Sequence, residues 1–208
     1  YNGTSGWAVY HRSVGNTKAM FLNSTLDANT WVGAEWWNNT TPTATQFTLG
    51  DNDAVNNSGG VTYVAYLFAH NAGGFGDDGE QNVISCGSFT ANGSWAATVD
   101  LGYEPQWVMT KASSAASNWF MNDNMRGMSV TDSQMLRANS ANAEDTFSPA
   151  WVAPTATGFN FSGGSASQTY IYIAIRRGPM KTPESGTEVF EPVLLVDGVT
   201  HKPPVNAS

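Results

Sequence analysis

Apolar and polar residues alternate along most of this chain, and long helical periodicity is almost absent. The segments "WAVYHRS" (Trp7–Ser13), "QFTLG" (Gln46–Gly50), "VTYVAYLFAH" (Val61–His70) and "NVISCGSF" (Asn82–Phe89) have the pattern of strands. So do "WAATVDLG" (Trp95–Gly102), "QWVMTKAS" (Gln106–Ser113), "GFNFSG" (Gly158–Gly163) and "TYIYIAIRRG" (Thr169–Gly178). Between them lie "NNSGG", "AGGFGDDG", "ANGS" and "SGGSAS", which carry turn and loop chemistry. Helix candidates are short: "STLDANTW" (Ser24–Trp31) and "SANAEDTF" (Ser140–Phe147). The pattern predicts an all-β domain.

Four blocks recur in the same order, about 100 to 114 residues apart. "WAVYHRSVGNTKAMFLNST" faces "WVMTKASSAASNWFMNDNMRG", "FLNSTLDA" faces "MLRANSANAED", and "PTATQFTLG" faces "PTATGFNFSG". Finally "SGGVTYVAYLFAHN" faces "SASQTYIYIAIRRG", so Tyr63 answers Tyr170 and Tyr66 answers Ile173. The order of the blocks predicts a duplication spanning about 7–70 and 107–178, and two copies are too few for a solenoid. Each half ends in a strand with few charges (Thr62–Phe68; Thr169–Ile175), which suits the centre of a covered sheet. The expected architecture is one antiparallel two-sheet sandwich over residues 1–178. Trp7 and Trp107, at equivalent repeat positions, are expected in its core. Residues 179–208 carry Pro179, Pro183, Pro192, Pro203 and Pro204 without periodicity, and are expected to form an extended linker towards the rest of a longer chain.

Composition narrows the function. Of the 208 residues, 41% are hydrophobic and 12% charged, about half the charged share of an ordinary soluble domain. The formal net charge is −8, and the nine basic residues are scattered. That field disfavours nucleic acid and anionic membrane surfaces, and no apolar run approaches a membrane span. The single cysteine, Cys86, excludes an intrachain disulfide and a multi-cysteine zinc site; "VISCGSF" places it as a buried strand residue.

Candidate chemistry is sparse. Asp77, Asp78 and Glu80 in the loop "AHNAGGFGDDGEQNVISCG" (Ala69–Gly87) are hard oxygen donors of the kind calcium prefers. They do not match a calcium-loop pattern, nor does "DNDAVNN" (Asp51–Asn57). Solvated connectors are the expected reading, calcium the alternative, and no other cofactor is expected. His11, His70 and His201 have no zinc spacing. No nucleophile elbow and no strand-borne carboxylate pair is present, so no catalytic residue is assigned and a non-enzymatic role is expected. Arg176 and Arg177 are expected to end a strand and meet acidic residues of the linker. Trp36 and Trp37, in "GAEWWNNTTPT", offer flat faces beside amides and hydroxyls. With Asn38, Asp51 and Asp53 they form the candidate glycan site, the alternative being plain packing.

The blocks "VYHRSVGNTKAMFLNST", "TYVAYLFAHNAGGFGDDGEQNVISCGSFTANG", "GYEPQWVMTK", "DNMRGM" and "TYIYIAIRRGPMKTP" together resemble a domain of large virion proteins of tailed bacteriophages, over roughly residues 7–183. The resemblance implies a concanavalin A or laminin-G type β-sandwich (jelly roll) in a tail-fibre or tail-associated structural protein. It also implies a place in the virion among other virion proteins; for such an appendage homo-oligomeric assembly and contact with host-surface glycans are expected. It brings no catalytic residue. A carbohydrate-binding module proper and a head decoration protein are the alternatives.

Overall fold

Antiparallel ladders carry this fold. The computed structural model describes residues 6–56 and 62–178, and contains β1 (Ala8–Val9), β2 (Lys18–Phe21), β3 (Trp31–Val32), α1 (Ala34–Trp37), β4 (Ile84–Thr90) and β5 (Ala97–Asp100). There follow β6 (Pro105–Ala112), β7 (Trp119–Asp123), β8 (Ser133–Arg137), β9 (Asp145–Phe147), β10 (Val152–Thr155), β11 (Gly158–Phe161) and β12 (Thr169–Arg176). They form a six-stranded sheet of order β4-β12-β6-β7-β8-β9 and two three-stranded sheets, β10-β11-β5 and β1-β2-β3. The chain divides into two units at Gly178, and the linker expected over residues 179–208 lies outside the described residues. No helix among the described residues is long and apolar enough to cross a membrane.

The packing follows from the two-residue period of a strand. On β12, Tyr170, Tyr172 and Ala174 enter one core with Val108, Ala112, Phe120 and Met135 of the same sheet. Val99, Val152, Phe159 and Phe161 of the β10-β11-β5 sheet close that core from the far side. Ile171 points the other way, where it meets Met20, Ala28 and Trp119. The β1-β2-β3 sheet therefore covers the second face of the six-stranded sheet. The Trp119 indole N–H ties the layers together by donating to the Phe21 carbonyl at 2.9 Å. Ala19 and Phe21, flanking Met20 on β2, face outward into a third cluster with Trp36, Trp37 and Val55. Burying each large side chain in these clusters contributes about 1.5–3 kcal/mol, and the result is an all-β, sandwich-like stack.

β12 sits where its composition places it, between β4 and β6, with Ile173 opposite Cys86 on one side and Met109 on the other. Three other expectations fail. Gln46–Gly50 forms no strand, and Thr62–His70 takes no ladder partner among the described residues. The third and fourth repeat blocks thus differ between the halves, although both first blocks form antiparallel pairs, with Ala8 opposite Phe21 and Trp107 opposite Asp123. Neither helix candidate is helical. The Asp27 carboxylate accepts from the Asn29 N–H and the Thr30 hydroxyl, a local turn that competes with helix. The Asp145–Phe147 segment pairs with β8. The one helical turn among the described residues falls instead on Ala34–Trp37, between Gly33 (φ 138) and the left-handed Asn38 (φ 48).

Candidate functional site

The short helix α1 sits over the outer face of β2 and splits the tryptophan pair. Trp36 and Trp37 are 2% and 7% exposed. Trp37 turns towards Tyr10, edge to face at 5.7 Å, and its indole N–H donates to the Lys18 carbonyl at 2.8 Å. Trp36 turns the other way, into an edge-to-face trio with Phe21 (5.5 Å) and Trp31 (5.9 Å). Neither presents a free face, so the pair is no stacking platform; it holds the helix to the sheet.

Beside that trio opens a cleft of about 400 Å³, lined by Gly6, Phe21, Asn23, Ser24, Trp31, Trp36, Asn52 and Ala54. Its far wall is the loop after Gly50. The Gly50 N–H donates to the Trp36 carbonyl at 2.9 Å, and the Asn52 N–H to the Glu35 carbonyl at 2.9 Å. A side chain at position 50 would collide with the Glu35 backbone, so glycine lets the loop lie against α1. Three polar side chains are held in place, Ser24 and Asn52 by their own turns and Asn23 by the backbone of Trp7. The Asn23 carbonyl oxygen accepts from the Trp7 N–H at 3.0 Å, the Asn52 carbonyl oxygen from the Ala54 N–H at 2.9 Å, and the Ser24 hydroxyl oxygen from the Leu26 N–H at 3.1 Å. Each keeps its own N–H or O–H donors without a partner among the described residues. The buried indole N–H groups of Trp31 and Trp36 also lack a hydrogen-bond partner; the neighbouring rings of the trio provide π faces for such donors. No lining residue is charged. The cleft combines an aromatic wall with fixed neutral donors, a chemistry suited to hydroxyl-rich, uncharged ligands.

The residues expected from the sequence are only partly gathered there. Trp36 lines the cleft and Trp37 does not. Asn38 is the exposed C-cap of α1, its N–H donating to the Ala34 carbonyl at 2.7 Å. Asp51 and Asp53 flank Asn52 but are exposed and do not line the cleft; the Asp53 carbonyl accepts from the Tyr63 hydroxyl at 2.7 Å. Phe21, Asn23 and Ser24 are not marked by pattern, and Asn52 only as part of the loop "DNDAVNN". The signal available was Asn-Ser directly after the aromatic strand "AMFLNS". Asp77, Asp78 and Glu80 are exposed on a separate tight loop, closed by the Gly74 N–H on the Gly79 carbonyl at 2.7 Å and the Phe75–Gln81 bridge. Among the described residues no three His, Cys, Asp or Glu side chains converge as a metal site.

Trp7 departs from expectation. It is 55% exposed, beside Tyr66 at 6.1 Å, while Trp107 is partly buried.

A second polar cluster lies where the N-terminal segment crosses the outer edge of β4. His11 Nδ1 accepts from the Ser13 N–H at 3.2 Å, leaving Nε2–H to donate to the Tyr172 carbonyl at 3.1 Å. Burial lowers its pKa to about 4, which fits a neutral ring with both nitrogens engaged. The Cys86 N–H donates to His70 Nδ1 at 3.0 Å, and Arg12 donates to the Cys86 carbonyl at 3.3 Å. Burial pushes the Cys86 thiol up to about 11, so it is an inert packing group. These side chains close an open sheet edge. On the second sheet pair, Lys111 is fully buried and donates to the Thr25 and Ser117 carbonyls at 3.0 and 2.9 Å. Arg177 pairs with Glu104 at 3.3 Å, and Arg176 covers the Tyr103 ring at 5.5 Å.

No curated protein and no solved structure matches the chain. A family model described as "Domain of unknown function (DUF7483)" matches residues 1–179, and the chain belongs to that family.

Proposed function

We propose that this domain is a structural module of a tailed-bacteriophage virion, set in a tail fibre or another appendage, and that it contacts host-surface glycans through the cleft at Phe21, Trp31 and Trp36. The observation that carries the ligand half is the lining itself: three aromatic side chains, three anchored amide or hydroxyl groups, and no charge. Sugar rings present apolar faces and neutral hydroxyls: the partly exposed Trp31 ring, backed by the buried Phe21 and Trp36, offers a face to stack on, and the anchored amides and hydroxyl offer bonds. Asn38, Asp51 and Asp53 lie on the rim of this reading rather than in it.

The virion half rests on the sequence blocks set out above, and on a chain that builds its sandwich with few charges and no disulfide. Within that reading the sandwich is of concanavalin A type and arose by duplication. The paired first blocks of the two halves support that origin. Domains of this kind act as rigid, non-catalytic modules and assemble with copies of themselves and with other virion proteins.

Two experiments test the halves separately. An array of bacterial surface polysaccharide fragments, followed by titration of the tryptophan fluorescence, is expected to identify a binder. Trp31→Ala and Asn52→Ala should each weaken it by about tenfold or more, the equivalent of one good contact. Binding unchanged in both variants, or no binder at all, removes the cleft from the proposal. Antibody labelling of phage particles under the electron microscope is expected to decorate an appendage; unlabelled particles sink the virion reading.

A further inference from the structure

Thr62–Ala69 ("TYVAYLFA") contains no charge, proline or glycine, yet lies on the surface. Val64, Tyr66, Leu67 and Phe68 are 62%, 70%, 74% and 52% exposed. The segment is fastened at both ends. The Tyr63 hydroxyl donates to the Asp53 carbonyl, and His70 accepts from the Cys86 N–H. Between these points Val64–Ala69 makes no ladder with any described strand.

The nearest sheet edge cannot take it in. On β4 the Ile84 carbonyl accepts from the Asn71 N–H, and the Cys86 N–H and carbonyl are engaged by His70 and Arg12. One edge of the molecule is thus protected by charged and polar side chains, the usual defence against unwanted pairing. Val64–Ala69 carries no such protection, and an uncharged, β-branched and aromatic segment is a template for another strand.

We propose that Thr62–Ala69 pairs with the same segment of a second copy of this chain, antiparallel about Tyr66, so that Val64 of each copy faces Phe68 of the other. Three features select a second copy as the occupant. The segment is neutral and complementary to itself under a twofold axis, the commonest symmetry of homo-oligomers. Its repeat counterpart β12 is likewise uncharged through Ile175 and is paired along both edges, by β4 and by β6. The area also suffices. With Trp7 beside Tyr66, the exposed side chains amount to about 500–600 Å² per copy, at the upper end for a monomer's largest apolar patch. Full coverage of both patches would bury at most roughly 1,000–1,200 Å², the low end for a specific interface, which fits a reversible dimer. This pairing is independent of the glycan reading, because it leaves the lining of the cleft untouched.

Sedimentation equilibrium of the full chain is expected to show a reversible dimer. Leu67→Lys and Tyr66→Lys should raise its dissociation constant by at least about tenfold. In a Cys86→Ser background, Tyr66→Cys should oxidise to a covalent dimer, whereas Met125→Cys, on a residue 92% exposed elsewhere, should not. Hydrogen exchange should show Val64–Phe68 protected in the dimer and unprotected on dilution. A chain monomeric at all concentrations overturns the proposal, as does a dimer unaffected by both lysine variants or protection of Val64–Phe68 that persists in the monomer.

Discussion

Thr62–Ala69 and β12 are aligned by the repeat, share a strand-like, uncharged middle, and have opposite fates. Val64 answers Ile171 in the repeat alignment; one is 62% exposed and the other 2%. Leu67 answers Ala174, at 74% against 0%. Both are tethered at their ends, both are uncharged through the middle, and both have the alternation of a strand. What separates them is the neighbourhood. β12 has β4 and β6 to bond with and cores on both faces; Thr62–Ala69 meets a β4 edge already closed by His70 and Arg12. Strand propensity is a statement about packing on a pleated surface, and without that surface the same residues are an exposed patch.

The comparison is broken most directly by truncation. Ile171→Ala should destabilise the domain by about 2–5 kcal/mol, the range for a fully buried aliphatic side chain. Val64→Ala should shift it by no more than about 0.5 kcal/mol in dilute, monomeric conditions. Urea denaturation at low protein concentration reads both, and similar losses at the two positions would mean that Thr62–Ala69 is packed after all.

The first repeat blocks sharpen the comparison through a second pair of equivalent positions, His11 and Lys111. Both are buried bases bonded to backbone carbonyls, and burial lowers both pKa values, to about 4 and about 8. For His11 the unfolded chain binds the proton more readily than the fold does. Stability is therefore complete above pH 6.5 and falls by roughly 2–3 kcal/mol as the pH drops towards 4. His11→Gln should flatten that slope. For Lys111 the unfolded chain again binds more protons, between pH 8 and 10.5, so stability rises across that window, on the order of 2 kcal/mol. Lys111→Met should abolish the rise. Denaturation curves against pH check both, and an unchanged slope in either variant would show that the fold does not lower that group's pKa.

The smallest effect belongs to the loop ahead of β4. Neutralising Asp77, Asp78 and Glu80 to amides should change stability by no more than about 0.5 kcal/mol, and millimolar calcium should leave the thermal midpoint in place. A calcium-dependent rise that the triple substitution removes would turn the connector into a metal loop.

Alternation located β5, β11 and β12 inside their predicted segments and β4 and β6 to within one residue, because there each pattern met a partner; it did not mark β8, β9 or β10, and β9 lies in a segment expected to be helical. The same rule failed at Gln46–Gly50 and Thr62–His70, since it measures suitability for a sheet and not the presence of one. The cleft was legible only in outline. Adjacent tryptophans drew notice as aromatic groups, but one helical turn rotates Trp37 away from Trp36, and it was Gly50 lying against Glu35 that brought Asn52 to the wall. Trp7 was misplaced for a related reason. A tryptophan opening a strand pattern is usually buried, yet here the ladder is two residues long and leaves the ring beside Tyr66.

By itself, then, the sequence determined the class of the fold, the absence of an intrachain disulfide, the low-charge composition, and an interior strand of the main sheet. These depend on composition and on a period of two, which are properties of the chain. Tertiary structure decided which of two similar segments is buried, which tryptophan lines a cleft, and which sheet edge is closed. Each of those depends on residues distant in sequence meeting at one point, and no local pattern contains that information.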